Sequence, residues 1–295
     1  MESLLSYYYG IVVNNIKKKD EYYIIEASDG KYLFAELFGS IENVEKIIDL
    51  LNKTNIKYHL LALTKDNKLF ITYDEKNYCL LKIRCDLNHK VSLLTFSETK
   101  TTGACNWNDI WSKRIDYYEE QIEEVIKDKS IKYAIQYYIG LTEIAIYGFN
   151  SLKEKFSNDN LVYTISHKKI TSPCNPLDYY NPLNMIIDLE IRDLAEYLKA
   201  SFFNETLTDY ELLTLIDNTK FTDVMANFLF IRLLYPSYFF YLYDEYVETK
   251  KIDDKIFLCI KKSKEYESLL SKIYSRLSLN NKLYLRPWFI KSLHL

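Results

Sequence analysis

Short runs of alternating apolar and polar residues fill the N-terminal third of this chain, and runs with a three-to-four-residue apolar repeat fill most of the rest. Alternation sends successive side chains to opposite faces of a strand, whereas the longer repeat collects apolar residues on one side of a helix. Tyr7–Val13 and Glu21–Ala27 read as strands around a Lys17–Asp20 turn, and Ser28-Asp29-Gly30 leads into another strand at Tyr32–Leu37. Ile41–Leu51 breaks the alternation. There Val44, Ile47, Ile48 and Leu51 share a helical face, Ser40 is placed to cap, and Glu42 and Glu45 suit the positive helix end. Strand-like runs resume at Tyr58–Thr64, Lys68–Tyr73 and Tyr78–Arg84, parted by turns at Asp66-Asn67 and Asp74–Asn77. The expectation is an antiparallel, five-stranded N-terminal lobe with one inserted helix, over residues 1–92.

A polar connection, Ser97–Cys105, leads to a mainly helical lobe over residues 93–295. Its expected helices are Trp107–Lys127, Ile131–Lys155, Arg192–Phe203, Thr208–Leu215, Thr222–Leu234, Ser237–Thr249 and Ser263–Leu277. Within Ile131–Phe149, Tyr133, Tyr137, Tyr138, Leu141, Ile144 and Ala145 are expected to face the core, with Gly140 admitting a close neighbour. Between the second and third helices, Leu161–Ser166 and Met185–Asp188 are strand-like and flank a loop with Pro173, Pro176 and Pro182. A loop set among helices invites a functional reading. The fold class is therefore α+β, in two lobes.

Composition narrows the function classes. The chain has 38 basic and 41 acidic residues and no basic stripe, so nucleic acid is not an expected partner. Phe228–Tyr243, the longest apolar stretch, is broken by Arg232, Pro236 and Ser237, and no membrane span is expected. The opening Met1-Glu-Ser-Leu-Leu does not read as a signal peptide. Five cysteines without a C-x-x-C pair indicate a reducing interior, with neither a disulfide framework nor a zinc site.

Strands with one helix, a connector, and then helices enclosing a loop that begins at a histidine make the layout of the protein-kinase-like fold. Ile165-Ser-His-Lys-Lys169 sits where that fold has its catalytic loop, and Ile186–Ala195 sits where aminoglycoside phosphotransferases carry a metal-binding aspartate. Three further segments, Tyr137–Ile146, Arg192–Leu198 and Arg232–Phe240, resemble the spore-coat-associated YutH/CotS family of kinase-like proteins. The resemblance is strongest from Trp107 to Tyr246.

Phosphoryl transfer needs a glycine turn over the phosphates, a strand lysine, a carboxylate for the acceptor hydroxyl, and Asn and Asp ligands for magnesium. Against that pattern, the expected turn Asn14–Asp20 has no glycine, and Ala35 or Glu36 stands where the lysine belongs. His167 is retained, but Lys169 replaces the catalytic aspartate, and a charged lysine cannot accept a proton. Asp188 matches the metal-binding aspartate, either as a vestigial cation ligand or as an acceptor that organises the loop; Asn175 or Asn181 would be the second ligand. His167 reads as structural, Asp193 as a helix cap, and Arg232 as the partner of a buried acid.

The resemblance thus implies a kinase-like protein with a degenerate catalytic loop at 165–190, needing no cofactor and associated with the spore coat or its assembly. Its partners would be other coat proteins, in the mother-cell cytoplasm or on the coat. The alternative is an active small-molecule phosphotransferase using magnesium-ATP, with Lys31 replacing the missing lysine and Asp178 or Glu190 as base.

Overall fold

The computed structural model describes residues 1–19, 22–87, 91, 99–125, 128–156 and 160–277, so the expected turn at Asp20 and the start of the Ser97–Cys105 connection lie partly outside it. An antiparallel sheet forms the N-terminal part. Its strands are β1 (Val13–Lys19), β2 (Tyr22–Ala27), β3 (Gly30–Glu36), β4 (Leu60–Ala62), β5 (Ile71–Tyr73) and β6 (Lys76–Lys82). Five run in the order β1-β2-β3-β6-β4, and β5, the paired part of the expected Lys68–Tyr73 run, bonds to the first residues of β6, so the sheet has six strands where five were expected.

The chain begins with α1 (Glu2–Tyr9), where Tyr7–Val13 reads as a strand. Gly10 ends this helix at φ 70°, its N–H donating to the Ser6 carbonyl at 3.0 Å. Glycine takes that left-handed conformation at little cost, and it is a common helix stop. The first strand is displaced as a result. Within Asn14–Lys19, expected as a turn, the register shifts at Asn14 and Asn15–Lys19 then pair one by one with β2, from Asn15 opposite Glu26 to Lys19 opposite Tyr22.

Both faces of the sheet are covered. Leu5 of α1 joins Ile25, Tyr32, Phe34, Ile71 and Leu80 on one face. On the other, Tyr22, Leu33, Ala35, Cys79 and Leu81 pack with Val44 of α2 (Ile41–Leu51) and with Leu177 and Leu183 from the helical part. As anticipated, Ser40 caps α2 by accepting the Asn43 N–H.

The C-terminal part comprises α3 (Trp107–Val125), α4 (Lys129–Lys155), β7 (Tyr163–His167), α5 (Pro176–Tyr179), β8 (Met185–Leu189), α6 (Arg192–Phe203), α7 (Asp209–Asn218), α8 (Asp223–Leu234), α9 (Ser237–Thr249), α10 (Asp254–Lys261) and α11 (Ser263–Arg276). β7 and β8 pair antiparallel, with His167 opposite Met185. The helical core is aromatic: Trp111 stacks on Tyr235 at 4.4 Å and Tyr138 on Phe239 at 4.1 Å between ring centroids. Two details of α4 depart from expectation. Tyr133 is exposed, and a Cβ on Gly140 would meet nothing within 4 Å. Among the described residues no helix is long and apolar enough to cross a membrane.

Residues 168–184, which join β7 to β8, bind the two parts together. His59 donates its backbone N–H to the Tyr180 carbonyl at 2.8 Å, and its Nε2 lies 3.2 Å from the Leu177 carbonyl. Leu177 and Leu183 bury their side chains against the sheet between those bonds. Truncating a buried leucine removes its transfer free energy and leaves a cavity. Leu177→Ala is therefore expected to lower the unfolding free energy by about 2–5 kcal/mol in urea denaturation. A loss within error of zero would show that this side chain does not join loop and sheet.

Candidate functional site

The centre of the helical part is built from two neighbouring side chains at the start of α6. Ile191 precedes the helix and offers no side-chain cap, and Asp193 does not cap it either, contrary to the sequence reading. Instead the Asp193 carboxylate accepts the backbone N–H of His167 at 2.8 Å and faces its Nδ1 at 2.6 Å. The other ring nitrogen, Nε2, lies 2.8 Å from the Tyr179 carbonyl. A carboxylate and a carbonyl only accept, so both nitrogens must donate and the buried ring is an imidazolium. Burial works against that charge, but Asp193 and the Tyr179 carbonyl outweigh it and raise the His167 pKa above its ordinary value.

Arg192 holds the same loop from the other side. Its Nε donates to the His167 carbonyl at 2.9 Å, one terminal nitrogen to the Lys168 carbonyl at 3.2 Å, and the other to Asp188 Oδ2 at 2.7 Å. Asp188 is saturated further. Trp107 Nε1 lies 3.0 Å from each of its oxygens, and the Leu189 N–H donates to Oδ1 at 2.7 Å.

The remaining sequence-derived positions fall as follows. Lys169 is exposed, its ammonium 5.4 Å from the Tyr241 ring centre. Asn175 and Asn181 cap the turns that follow them, accepting the N–H of Leu177 and of Leu183. Asp178 accepts from Asn175 at 2.8 Å. Ala35 is buried within the sheet's packed face, Glu36 accepts from Lys76 at 2.9 Å, and Lys31 sits 3.5 Å from Glu26 at the surface. Only residues 20 and 21 separate Lys19 from its partner Tyr22. His167, Asp188 and Asp193 are thus brought together, whereas Ala35, Glu36 and Lys31 stand apart from them.

A cavity of about 500 Å³ opens beside Asp188. Its walls come from the start of α2, the first turns of α3, strand β8 and the end of α8; no residue of the six-stranded sheet lines it. Arg232 reaches it from α8 and pairs with the buried Glu196 through Nε at 2.8 Å, which supplies the expected acid. Its guanidinium carbon lies 5.0 Å from the ring centre of Trp107, 5.6 Å from that of Trp111 and 5.2 Å from that of Tyr235. Lys199 completes the cluster, donating to Glu196 at 2.9 Å, to Ser237 Oγ at 2.6 Å and to the Arg232 and Tyr235 carbonyls. Burial alone would raise the Glu196 pKa, but Lys199, Arg232 and Arg192 hold it well below the usual carboxylate range. Glu196 and Lys199 carry no sequence signal of this role beyond their place in a helix whose other residues are mostly apolar.

This arrangement has relatives. The chain is 26% identical over 234 residues to the endospore coat-associated protein YutH of Bacillus subtilis, an alignment covering 67% of each chain. An aminoglycoside phosphotransferase from Alicyclobacillus acidocaldarius superposes with a TM-score of 0.57 at 9% identity, covering 90% of this chain and 93% of that one. A spectinomycin phosphotransferase, solved with ADP and spectinomycin, gives 0.55 at 13% identity, covering 94% and 96%. These superpositions show that the chain shares the fold of those two structures. Residues 2–273 match the family described as "Spore coat putative kinase YutH", and the chain belongs to that family.

Proposed function

We propose that this chain is a non-catalytic kinase-like protein of the spore coat or its assembly, acting by binding other coat proteins. The family membership and the coat-associated relative support the setting. The observation that carries the non-catalytic reading is the state of Asp188. Its carboxylate is already neutralised by Arg192 at 2.7 Å and bonded by Trp107, so a magnesium ion would have to displace an internal cation. One carboxylate so engaged is a poor magnesium site, because that ion demands near-ideal octahedral geometry and several oxygen ligands.

The other parts point the same way. Lys169 stands where the acceptor hydroxyl needs a carboxylate, and both asparagines that could add a ligand are turn caps. On the sheet face bearing Ala35, where a transferase lysine would meet phosphate, Leu177 and Leu183 fill the space. The residues present therefore do not fit a magnesium nucleotide. An active phosphotransferase would have to use Lys31, which pairs with Glu26, in place of the lysine, and as base either Asp178, which is bonded to Asn175, or Glu190, which follows β8.

Calorimetric titration of the purified protein with magnesium-ATP is expected to give no saturable heat, and labelled ATP no transfer to the chain or to an aminoglycoside. Micromolar binding accompanied by transfer would overturn the reading. The buried imidazolium offers a separate check on His167. Its folded-state pKa is raised, so its stabilising contribution is complete below about pH 6.5 and is lost as pH rises through the folded-state value. Wild type should therefore exceed His167→Gln in unfolding free energy at pH 6, by a margin that shrinks as pH rises. A margin constant between pH 6 and 9 would mean that the ring carries no charge in the folded protein.

A further inference from the structure

We infer that the cavity beside Asp188 binds a small organic anion: a carboxylate or phosphate carried on a compact apolar body. The strongest pointer is Arg232. Its side chain is only 3% exposed, and of its three nitrogens only Nε has a hydrogen-bond partner among the described residues. Arg232 lines the cavity, and neither terminal nitrogen is among the fully buried side-chain atoms left without a partner, so both reach the open space there. They are donors without a protein acceptor, and a planar pair of N–H groups matches the two oxygens of a carboxylate or phosphate.

The surroundings favour the same charge. Among the described residues, the ionised groups on the walls are Lys46, Arg114, Lys168, Arg192, Arg232 and the single acid Asp188. Asp188 is cancelled by Arg192, Arg114 is paired with Asp244, and Glu196 is shared between Arg232 and Lys199. The balance is positive. Another wall carries the start of α2, with Gly39, Ser40 and Asn43, and the positive end of a helix adds to the attraction for an anion.

Shape decides the rest of the ligand. A volume of about 500 Å³ lies within the range of small-molecule pockets and exceeds what a bare inorganic anion would fill. Trp107 and Trp111, stacked at 5.2 Å, and the side chains of Ile47 and Met185 form apolar walls suited to a flat hydrocarbon body.

Trp107 and Trp111 line the cavity, so intrinsic fluorescence of the full chain should report occupancy. At constant ionic strength, benzoate or phenyl phosphate is expected to give a saturable change at least about tenfold tighter than benzyl alcohol; the tighter of the two identifies the head group. Arg232→Met should abolish saturation. Because Arg232 is buried against Glu196 and its loss could unfold the chain, Asn43→Asp is the decisive variant. A negative charge there suits the helix start, leaving the fold intact, and should weaken the anion about fivefold while leaving benzyl alcohol unchanged. No saturation with either anion, equal affinity for benzyl alcohol, or an unaltered response in Asn43→Asp would each overturn the assignment. The readout uses no nucleotide, so phosphate transfer from ATP would defeat the non-catalytic reading and leave this one standing.

Discussion

Two adjacent side chains, Arg192 and Asp193, hold the centre of this protein in one arrangement. Asp193 binds His167 through backbone and ring, and Arg192 binds the carbonyls of His167 and Lys168 together with the Asp188 carboxylate. All four side chains are buried or nearly so, and buried charges persist only when paired and fully hydrogen-bonded. The dipeptide meets that condition for β7 and β8 at once, because His167 lies at the end of one strand and Asp188 within the other. The loop between those strands is thereby fixed at both ends. From that fixed base it can present Leu177 and Leu183 to the sheet.

The sequence made the scaffold legible where a local rule applied. Long apolar repeats marked the main helices, and the alternation of Tyr32–Leu37 marked a strand whose two faces are both packed. It misled where two rules competed. Tyr7-Tyr8-Tyr9 has the aromatic content of a strand, yet Glu2 in the first turn, Gly10 after the last and the burial of Leu5 make it a helix. The periodicity of α4 likewise could not show that Tyr133 faces away from the core, since nothing local says which neighbours cover a helix. α10 went unrecognised because it is short and follows α9 closely.

At the candidate site the division is similar. His167 and Asp188 were readable because they match a motif's positions, but Asp193 was given the wrong partner. Its place near a helix start satisfied the rule for a cap, whereas the nearest unsatisfied donors belonged to His167, twenty-six residues earlier in the chain. Arg232 shows the reverse. A cation on an apolar face demanded a buried acid, but Glu196 lies thirty-six positions away, a distance fixed only when α6 and α8 pack. Gly103 has the same kind of explanation: a Cβ there would fall 2.5 Å from the Tyr163 ring, a crowding visible only once the connection lies over β7.

The ion pair between Arg192 and Asp188 links the two functional readings. In a phosphotransferase this carboxylate must stay negative toward the cleft, because its charge holds the metal that bridges the phosphates. Here an internal guanidinium supplies the compensating charge, so no ion is needed to balance Asp188. The same contact offsets Asp188, the one acid among the described residues lining the neighbouring cavity, and leaves the balance there to Lys46, Lys168, Arg232 and the α2 start. On the readings proposed above, weakened cation binding and favoured anion binding are two consequences of one contact. A chain with Arg192 turned elsewhere would lose both together, because Asp188 would again be available to a cation and would repel any anion entering beside it.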